Sequence, residues 1–97
     1  MPKYAAAVDE NQPAVVKLFR KLGWSVQVLS TVGGGVPDII VGKNQVNLFV
    51  EIKDGNKPPS ARKLTTAQVK WHKEWRGNVH IVISEDDVLF LNKTFSR

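Results

Sequence analysis

The hydrophobic pattern of the chain begins with an amphipathic helix over residues 10–22. Apolar side chains recur there at the i, i+3, i+4, i+7 spacing of one helical face, at Val15, Leu18, Phe19 and Leu22. Asp9 or Asn11 can cap its first turn, and Gly23 follows its last turn, where a left-handed residue commonly ends a helix. We therefore predict a helix that buries this face against the rest of the chain.

Short runs rich in β-forming residues follow this helix and predict three strands. Residues 24–30 alternate in part, residues 38–41 are an apolar run that opens on an acid, and residues 46–53 form the clearest strand. The last of these contains an unbroken apolar stretch, which is typical of a central strand buried on both faces. A loop with three successive glycines over residues 31–37 and a turn over residues 42–45 separate the three strands.

A second helix is predicted after a loop at residues 54–60 that contains glycine and two prolines. Thr65 or Thr66 caps it, and it runs to about Arg76 before a glycine. One face of this helix carries Gln68, Trp71, His72 and Trp75. We expect both tryptophans, and Trp24 after the first helix, to belong to the core.

The last part of the chain predicts two further strands. Residues 79–83 are almost all apolar and indicate a second central strand. An acidic turn at residues 85–87 then precedes a last short strand at residues 88–91. The predicted order is α-β-β-β-α-β-β, an α/β fold in which helices flank a mixed β-sheet. With 97 residues, no repeat and no long linker, we expect a single domain over residues 1–97.

The composition excludes several classes of protein. The chain has no cysteine, so it contains no disulfide, zinc knuckle or thiol nucleophile. His72 and His80 are too few for a histidine-rich metal site, and we expect both to be structural. No apolar run approaches the roughly 18 residues of a membrane span, and the N-terminal segment does not resemble a signal peptide. We therefore expect an intracellular, cytoplasmic protein with no membrane partner and no small organic cofactor.

The positive charge is concentrated in one window of the sequence. The chain carries 14 Lys and Arg against nine Asp and Glu, a net charge of +5. Residues 53–76 hold seven basic residues and two acidic ones, so this window accounts for the whole excess. A local basic patch attracts a polyanion, although a solvated loop and helix face would have the same composition. The predicted phosphate contacts are Lys57, Arg62, Lys63, Lys70 and Lys73.

Two acids lie at the ends of strands that we expect to pair as a hairpin. Pairing about the turn at residues 42–45 sets Asp38 nearly opposite residue 49, with Glu51 as its diagonal neighbour at the same edge. Lys53 shares the parity of Glu51 and therefore points to the same face of the strand. The two carboxylates are then close enough to share one hard cation, Mg²⁺ or Mn²⁺, and the backbone carbonyl of Ile52 is a further candidate ligand.

This set of groups has the chemistry needed to hydrolyse a phosphodiester bond. A bound divalent cation polarises a phosphate and lowers the pKa of a bound water, while a lysine orients that water or stabilises the developing charge. The same D…ExK spacing also occurs by chance in many proteins. Three features favour a functional reading of Asp38, Glu51 and Lys53: the glycine-rich loop before the first acid, the buried strand that ends on the second, and the basic segment that follows.

Two motifs carry a resemblance to a known family: Gly35-Val36-Pro37-Asp38 and Glu51-Ile52-Lys53. They resemble the signature of the PD-(D/E)xK nucleases. Glu10 near the first helix, and residues 64–68 leading to Trp71, make the chain similar to the VRR-NUC branch over about residues 8–91. One departure is that the Val-Arg-Arg string is absent, because the loop reads Val-Gly-Gly-Gly-Val at residues 32–36.

The resemblance implies a restriction-endonuclease-like fold and divalent-metal-dependent hydrolysis of phosphodiester bonds. It makes Asp38 and Glu51 metal ligands and Lys53 the catalytic lysine. Glu10 becomes an auxiliary acid that reaches a metal through water, and Gln68 a residue that organises the lysine or the metal's surroundings. The ordinary alternatives are a helix N-terminal acid for Glu10 and a buried structural amide for Gln68.

Small stand-alone members of this family, often viral, are associated with dimers that cut four-way junctions. The resemblance therefore implies a structure-selective DNA endonuclease that acts as a homodimer on branched DNA, in a bacterium or a phage-infected cell. The alternatives are a flap or general duplex nuclease, a restriction-type enzyme that reads a base sequence, and a catalytically silent DNA-binding module. The short chain leaves little room for the recognition insert of a restriction-type enzyme.

Overall fold

The computed structural model describes residues 9–95. The elements in chain order are α1 (Gln12–Lys21), β1 (Ser25–Val28), β2 (Ile39–Lys43), β3 (Val46–Ile52), a short 3₁₀ helix (Pro59–Arg62), α2 (Thr66–Glu74), β4 (Val79–Val82) and α3 (Glu85–Phe95). Within the described range, every helix is too short or too polar to cross a bilayer. The expectation that no signal peptide is present concerns residues 1–8, which lie outside the described residues.

The four strands form one mixed sheet in the order β1-β2-β3-β4. The first three strands are antiparallel to their neighbours, and β3 pairs with β4 in parallel. Parallel neighbours require a crossover connection, and α2 lies within the segment that makes it. The mixed sheet flanked by helices was predicted correctly.

The turn between β2 and β3 corrects the predicted register by two residues. Asn44 and Gln45 both have positive φ angles, 51° and 68°, as a two-residue type I′ hairpin turn requires. The strands consequently pair Lys43 with Val46 and Ile39 with Val50. Extending this register by one residue sets Asp38 directly opposite Glu51, and not opposite residue 49.

Because side chains alternate along β3, one face of the sheet carries the hydrophobic core and the other carries the polar groups. Of the even-numbered residues of the strand, Leu48, Val50 and Ile52 are buried in the core with α1 and α3, and Val46 is partly buried against it. This core consists of Val15, Val16, Phe19, Trp24, Ile39, Val41, Leu48, Val50, Ile52, Val82, Val88 and Leu91. The odd-numbered residues Phe49, Glu51 and Lys53 face the other side, where α2 covers them. The sheet therefore separates the hydrophobic core from the polar groups of interest.

The first two helices were predicted within a few residues of their bounds. The apolar face of α1 is buried as expected, and Gly23 follows it with a φ of 94°. Asn11 occupies the N-cap position but forms no side-chain capping bond. Thr65 caps α2 through a reciprocal pair of hydrogen bonds with Gln68, the capping box signalled by the Thr-x-x-Gln spacing.

The predicted last strand is wrong, because residues 88–91 lie inside α3. Val88 and Leu91 are buried at the i, i+3 spacing of a helix, so the short apolar run was compatible with either structure. The predicted acidic turn is the first turn of α3, where carboxylates are favoured by the helix dipole. Among residues 9–95 no strand pairs with the far side of β4, so within this range β4 is an edge strand and not the predicted central one.

Asp87→Ala is expected to lower the free energy of unfolding by about 1–2 kcal/mol, since it removes a side-chain acceptor at the start of α3. The carboxylate of Asp87 accepts a hydrogen bond from the N–H of Ile83 at 2.9 Å. Glu85→Ala is the matched control, because it removes an exposed acid from the same helical turn. Urea denaturation should give a loss of only a few tenths of a kcal/mol for the control. Equal losses would show that the hydrogen bond contributes nothing.

Candidate active site

The two predicted acids meet at the ends of β2 and β3. Asp38 is held on both sides: its backbone C=O accepts from the N–H of Leu29 at 2.7 Å, and its carboxylate accepts from the N–H of Ile52 at 2.6 Å. Its side chain also interacts with that of Glu51, which is only 1% exposed. The geometry is thus a pair of carboxyl groups at one edge of the sheet, of which Glu51 is buried and Asp38 is partly buried.

This environment makes Glu51 a weak acid. Burial raises the pKa of Glu51 from 4.5 to about 9, helped by the hydrogen bond to Asp38 and by the charge of Asp38, while Lys53 works in the opposite direction. The single ammonium group is therefore insufficient to keep both carboxyl groups ionised. A site with this imbalance gains stability from a further positive charge.

Gln68 connects the second acid to the predicted catalytic lysine. Its Nε2 donates to Glu51 Oε2 at 3.0 Å, and its Oε1 accepts from Lys53 Nζ at 2.9 Å. The same Oε1 accepts from the N–H of Thr65 at 2.9 Å. Both neighbours of Oε1 are donors, so this network determines the orientation of the amide. The structure thus brings four of the predicted site residues together: Asp38, Glu51, Lys53 and Gln68.

His72, which we predicted to be structural, lies one helical turn after Gln68 and faces the same acid. Its Nε2 is 3.5 Å from Glu51 Oε1, and neither atom has a hydrogen-bond partner within residues 9–95. Burial, with a smaller contribution from the charge of Lys53, lowers the pKa of His72 below 6.5. The i, i+4 spacing from Gln68 was a sequence signal for this contact, since both residues share one helix face.

Aromatic residues support the same helix farther from the acids. Phe49 packs edge-to-face against Trp71 and Trp75, and the two indole rings stack at 4.8 Å between centroids. Trp71 is partly buried, whereas Trp75 remains 45% exposed, so the expectation that Trp75 belongs to the core is wrong. Trp24 is buried as predicted.

Asn11 holds the strand end that carries the lysine. Its Nδ2 donates to the backbone C=O of Lys53 at 3.0 Å, across 42 positions of sequence. This contact ties the start of α1 to the end of β3. We had considered Asn11 only as a cap of α1, and no local pattern signals a contact over such a separation.

Glu10 lies exposed in the turn before α1, and within residues 9–95 it forms no hydrogen bond or ion pair. Its neighbour Asp9 is nearer to the chemistry, since its charge contributes to the raised pKa of Glu51. Asp9 also forms an ion pair of 3.8 Å with Lys57. The auxiliary role of Glu10 stays a prediction, and the sequence indicates Asp9 only as a cap of α1, not as an acid near the site.

The predicted phosphate-binding residues surround α2. Lys57, Lys63, Lys70 and Lys73 are exposed, and Arg62 is partly buried. Lys70 and Lys73 line an open groove of about 740 Å³ on the outer face of α2, together with Arg76. This groove lies on the side of the helix away from Gln68 and His72. Basic groups therefore extend from the loop before α2 along its solvent-facing side.

The donor set at the acid pair fits a divalent cation. The backbone N–H groups of Phe49 and Lys53 point towards β4. Because successive residues of a strand direct their backbone groups to opposite sides, the backbone groups of Ile52 point towards β2. If the observed β2–β3 register is extended by two residues beyond Ile39 and Val50, Ile52 lies opposite Pro37, which has no N–H to donate to the Ile52 carbonyl. Two opposed carboxylates and this carbonyl are hard oxygen donors of the kind that Mg²⁺ and Mn²⁺ prefer.

Within residues 9–95, no group of three or more His, Asp or Glu side chains is arranged to hold a metal ion. Protein ligands in the described range would therefore be the two carboxylates and the Ile52 carbonyl, completed by water or substrate oxygens. Glu51 Oε1, which is buried and lacks a hydrogen-bond partner among the described residues, is a free acceptor for such an ion.

Comparison with known proteins identifies the family. No family model and no curated protein matches the sequence. A solved structure described as a VRR_NUC domain is similar to this chain at 31% sequence identity, with a TM-score of 0.66. The similarity covers 90% of this chain and 99% of that one. The chain belongs to the VRR-NUC family.

Membership of the VRR-NUC family confirms the resemblance predicted from the two motifs, and it makes this chain a member of a nuclease family. The α/β sheet with flanking helices is the restriction-endonuclease-like fold expected for that family. In this VRR-NUC chain the final element is a helix, so the order is α-β-β-β-α-β-α.

Glu51→Gln is expected to make the metal-free protein more stable at neutral and alkaline pH. Because the folded state binds the Glu51 proton more tightly than the unfolded state, the wild type loses stability as pH rises from about 4.5 to about 9. The glutamine variant has no such loss. Its advantage in urea denaturation with EDTA should grow by at least about 1 kcal/mol between about pH 5 and pH 8. A constant difference between the two proteins would contradict the raised pKa.

Gly35 lies against the first turn of α2 and leaves no room for a side chain. A Cβ at Gly35 would stand 2.2 Å from the carbonyl oxygen of Ala67, the residue before Gln68, whereas a Cβ at Gly34 would meet nothing within 4 Å. Both glycines have positive φ angles, 84° and 67°. The two positions therefore share the backbone constraint and differ in steric contact.

Gly35→Ala should consequently lower the free energy of unfolding by about 2 kcal/mol more than Gly34→Ala. The conformational cost of a side chain at positive φ, about 1–2 kcal/mol, is common to both variants. The excess at Gly35 measures the overlap with α2. Urea denaturation of the two variants beside the wild type gives the comparison, and equal losses would contradict the close packing of this loop on α2.

Proposed function

We propose that this VRR-NUC protein is a divalent-metal-dependent endonuclease that hydrolyses phosphodiester bonds in DNA at the Asp38–Glu51 pair. The observation that carries the proposal is the continuous connection from the acid pair through Gln68 to Lys53. A protein that only bound DNA would not need a mutually repelling acid pair, one member of it buried, joined to a lysine.

The residues have distinct roles in this proposal. Asp38, Glu51 and the carbonyl of Ile52 would hold Mg²⁺ or Mn²⁺, with Glu10 reaching the ion through water. When bound there, such a cation would supply Lewis acidity for the scissile phosphate and would lower the pKa of a water molecule. Lys53 directs its ammonium towards the attacking water and the phosphate, where it stabilises negative charge. Gln68 limits the motion of that ammonium, because its amide is itself held by the backbone of Thr65.

DNA would reach the acids along the basic residues around α2. Lys57, Arg62 and Lys63 precede the helix, while Lys70 and Lys73 follow its exposed face. These groups contact phosphates and not bases, so they provide affinity that depends strongly on salt and little on sequence. Recognition of shape, rather than of base sequence, is the mode that such a contact surface supports.

The preferred substrate in this proposal is a four-way DNA junction cut by a homodimer. A dimer with two-fold symmetry carries two equivalent sites, which matches two equivalent strands of a symmetric junction. The resemblance to small stand-alone members of the family supports this finer assignment. The alternatives are cleavage of flaps or plain duplex by the same site, and a DNA-binding module without catalysis.

The test is cleavage of a synthetic four-way junction beside a linear duplex, with Mg²⁺, with Mn²⁺ and with EDTA. Lys53→Ala should reduce metal-dependent cleavage at least about a hundredfold, because charge stabilisation at the phosphate is lost. Lys21→Ala removes an exposed cation near the end of α1 and serves as the control for general loss of charge. The expected products are paired, symmetric cuts in the junction.

Each other outcome rejects a defined part of the proposal. Metal-dependent cutting of flaps or duplex without preference for the junction would retain the site and reject the junction. Cleavage that persists in Lys53→Ala would reject the assigned lysine. Tight binding without cleavage under either metal would leave a binding module and reject the enzyme.

A further inference from the structure

The outer face of α3 presents an apolar stripe that nothing in the described chain covers. Asp86, Leu89, Phe90 and Lys93 recur at the i, i+3, i+4, i+7 spacing and point away from buried Val88 and Leu91. Phe90 is 67% exposed and Leu89 is 47% exposed. Neither charged residue of the stripe forms an ion pair within residues 9–95. Two adjacent large apolar side chains are thus left in solvent between an acid and a base.

The order of charges along the stripe makes it complementary to itself. If two copies of α3 pack antiparallel about a two-fold axis between residues 89 and 90, Leu89 meets the partner's Phe90, and Asp86 meets the partner's Lys93. A two-fold interface requires this kind of match, since each residue must suit the residue that the same surface presents in return. Parallel packing would instead set acid against acid and base against base.

The exposed apolar surface of α2 lacks this match. Val69 is 51% exposed, but it lines the α2 groove with three basic residues, Lys70, Lys73 and Arg76, against the acid Glu74. Two copies meeting through that surface would bring like charges together, which disfavours association. The α2 surface therefore suits a polyanion, and the α3 stripe suits a second copy of the chain.

We propose that the chain forms a homodimer through the α3 stripe, with the two helices antiparallel about an axis between Leu89 and Phe90. This proposal rests on the homodimer in the proposed function and assigns the surface that forms it. The apolar pair supplies association, and the flanking charges select the antiparallel arrangement.

The size of the surface sets the expected strength of the dimer. With 11 residues, α3 is about 16 Å long. We expect one such helix face to bury less than the roughly 1,200 Å² at which stable complexes begin. The dimer should therefore dissociate in the micromolar range, and a concentration series is needed to observe it.

Sedimentation equilibrium of the full chain, without DNA or metal, tests the interface separately from the nuclease activity. Phe90→Asp should weaken the dimer at least about a hundredfold, because it places a carboxylate at the centre of the contact. Asp86→Lys and Lys93→Asp should each weaken it about tenfold by creating like-charge pairs. The double variant, Asp86→Lys with Lys93→Asp, should return to within about threefold of the wild type, because the charges are complementary again.

Glu85→Lys is the matched control, because it reverses a charge in the same helical turn but at the side of the stripe. Circular dichroism of every variant checks that the helices are retained. A wild type that stays monomeric, a dimer unaffected by Phe90→Asp, or a double variant as weak as its single parents would overturn the proposal. Because no cleavage is measured, a failed nuclease assay leaves this result standing, and a failed dimer leaves the chemistry of the acid pair untouched.

Discussion

The direct opposition of Asp38 and Glu51 is the constraint around which the rest of the structure is arranged. Two carboxyl groups brought together out of water repel each other, so the fold must surround them with donors and positive charge. Gln68 and Lys53 supply part of that compensation on the α2 side, and the N–H of Ile52 supplies part on the strand side. The remaining imbalance is what gives the site its affinity for a divalent cation in the proposed function. A polar site of this kind is stable only because the opposite face of the same strand is fully apolar.

The spacing of side chains along β3 and along α2 places the polar groups of the site at one end of their contact and the supporting aromatic residues at the other. Residues two apart on β3 face α2, and residues one turn apart on α2 face β3. Phe49 packs on Trp71 and Trp75, whereas Glu51 meets Gln68 and His72 farther along. Aromatic residues towards the C-terminal end of α2 thus hold the helix against the sheet, and the polar residues nearer its N-terminus face the acids. Gly35, which lacks a side chain, lets the loop before Asp38 lie against the first turn of the same helix.

Charge is distributed over the surface in a way that separates the two proposed partners. The basic residues around α2 lie in the loop before the helix and along its exposed face, while the acids at the start of α3 lie on a helix that packs against α1 and β4 on the core side of the sheet. A polyanion would be drawn to the first surface and repelled from the second. A second copy of the chain finds matching charges on α3 and not on α2, so the two kinds of contact do not compete for one face.

Much of the fold and of the site could be predicted from local patterns in the amino-acid sequence alone. The apolar spacing of α1, the capping box of α2 and the shared face of Glu51 and Lys53 depend only on residues a few positions apart. The family motifs likewise lie within short segments. Tertiary structure decided the rest, because a short apolar run such as residues 88–91 suits a strand or a helix until its packing partner is known. The turn at Asn44 and Gln45 shifted the register and made the acids face each other directly. The contacts of Asn11 with Lys53 and of His72 with Glu51 join distant segments, and they depend on how the whole sheet and its helices pack.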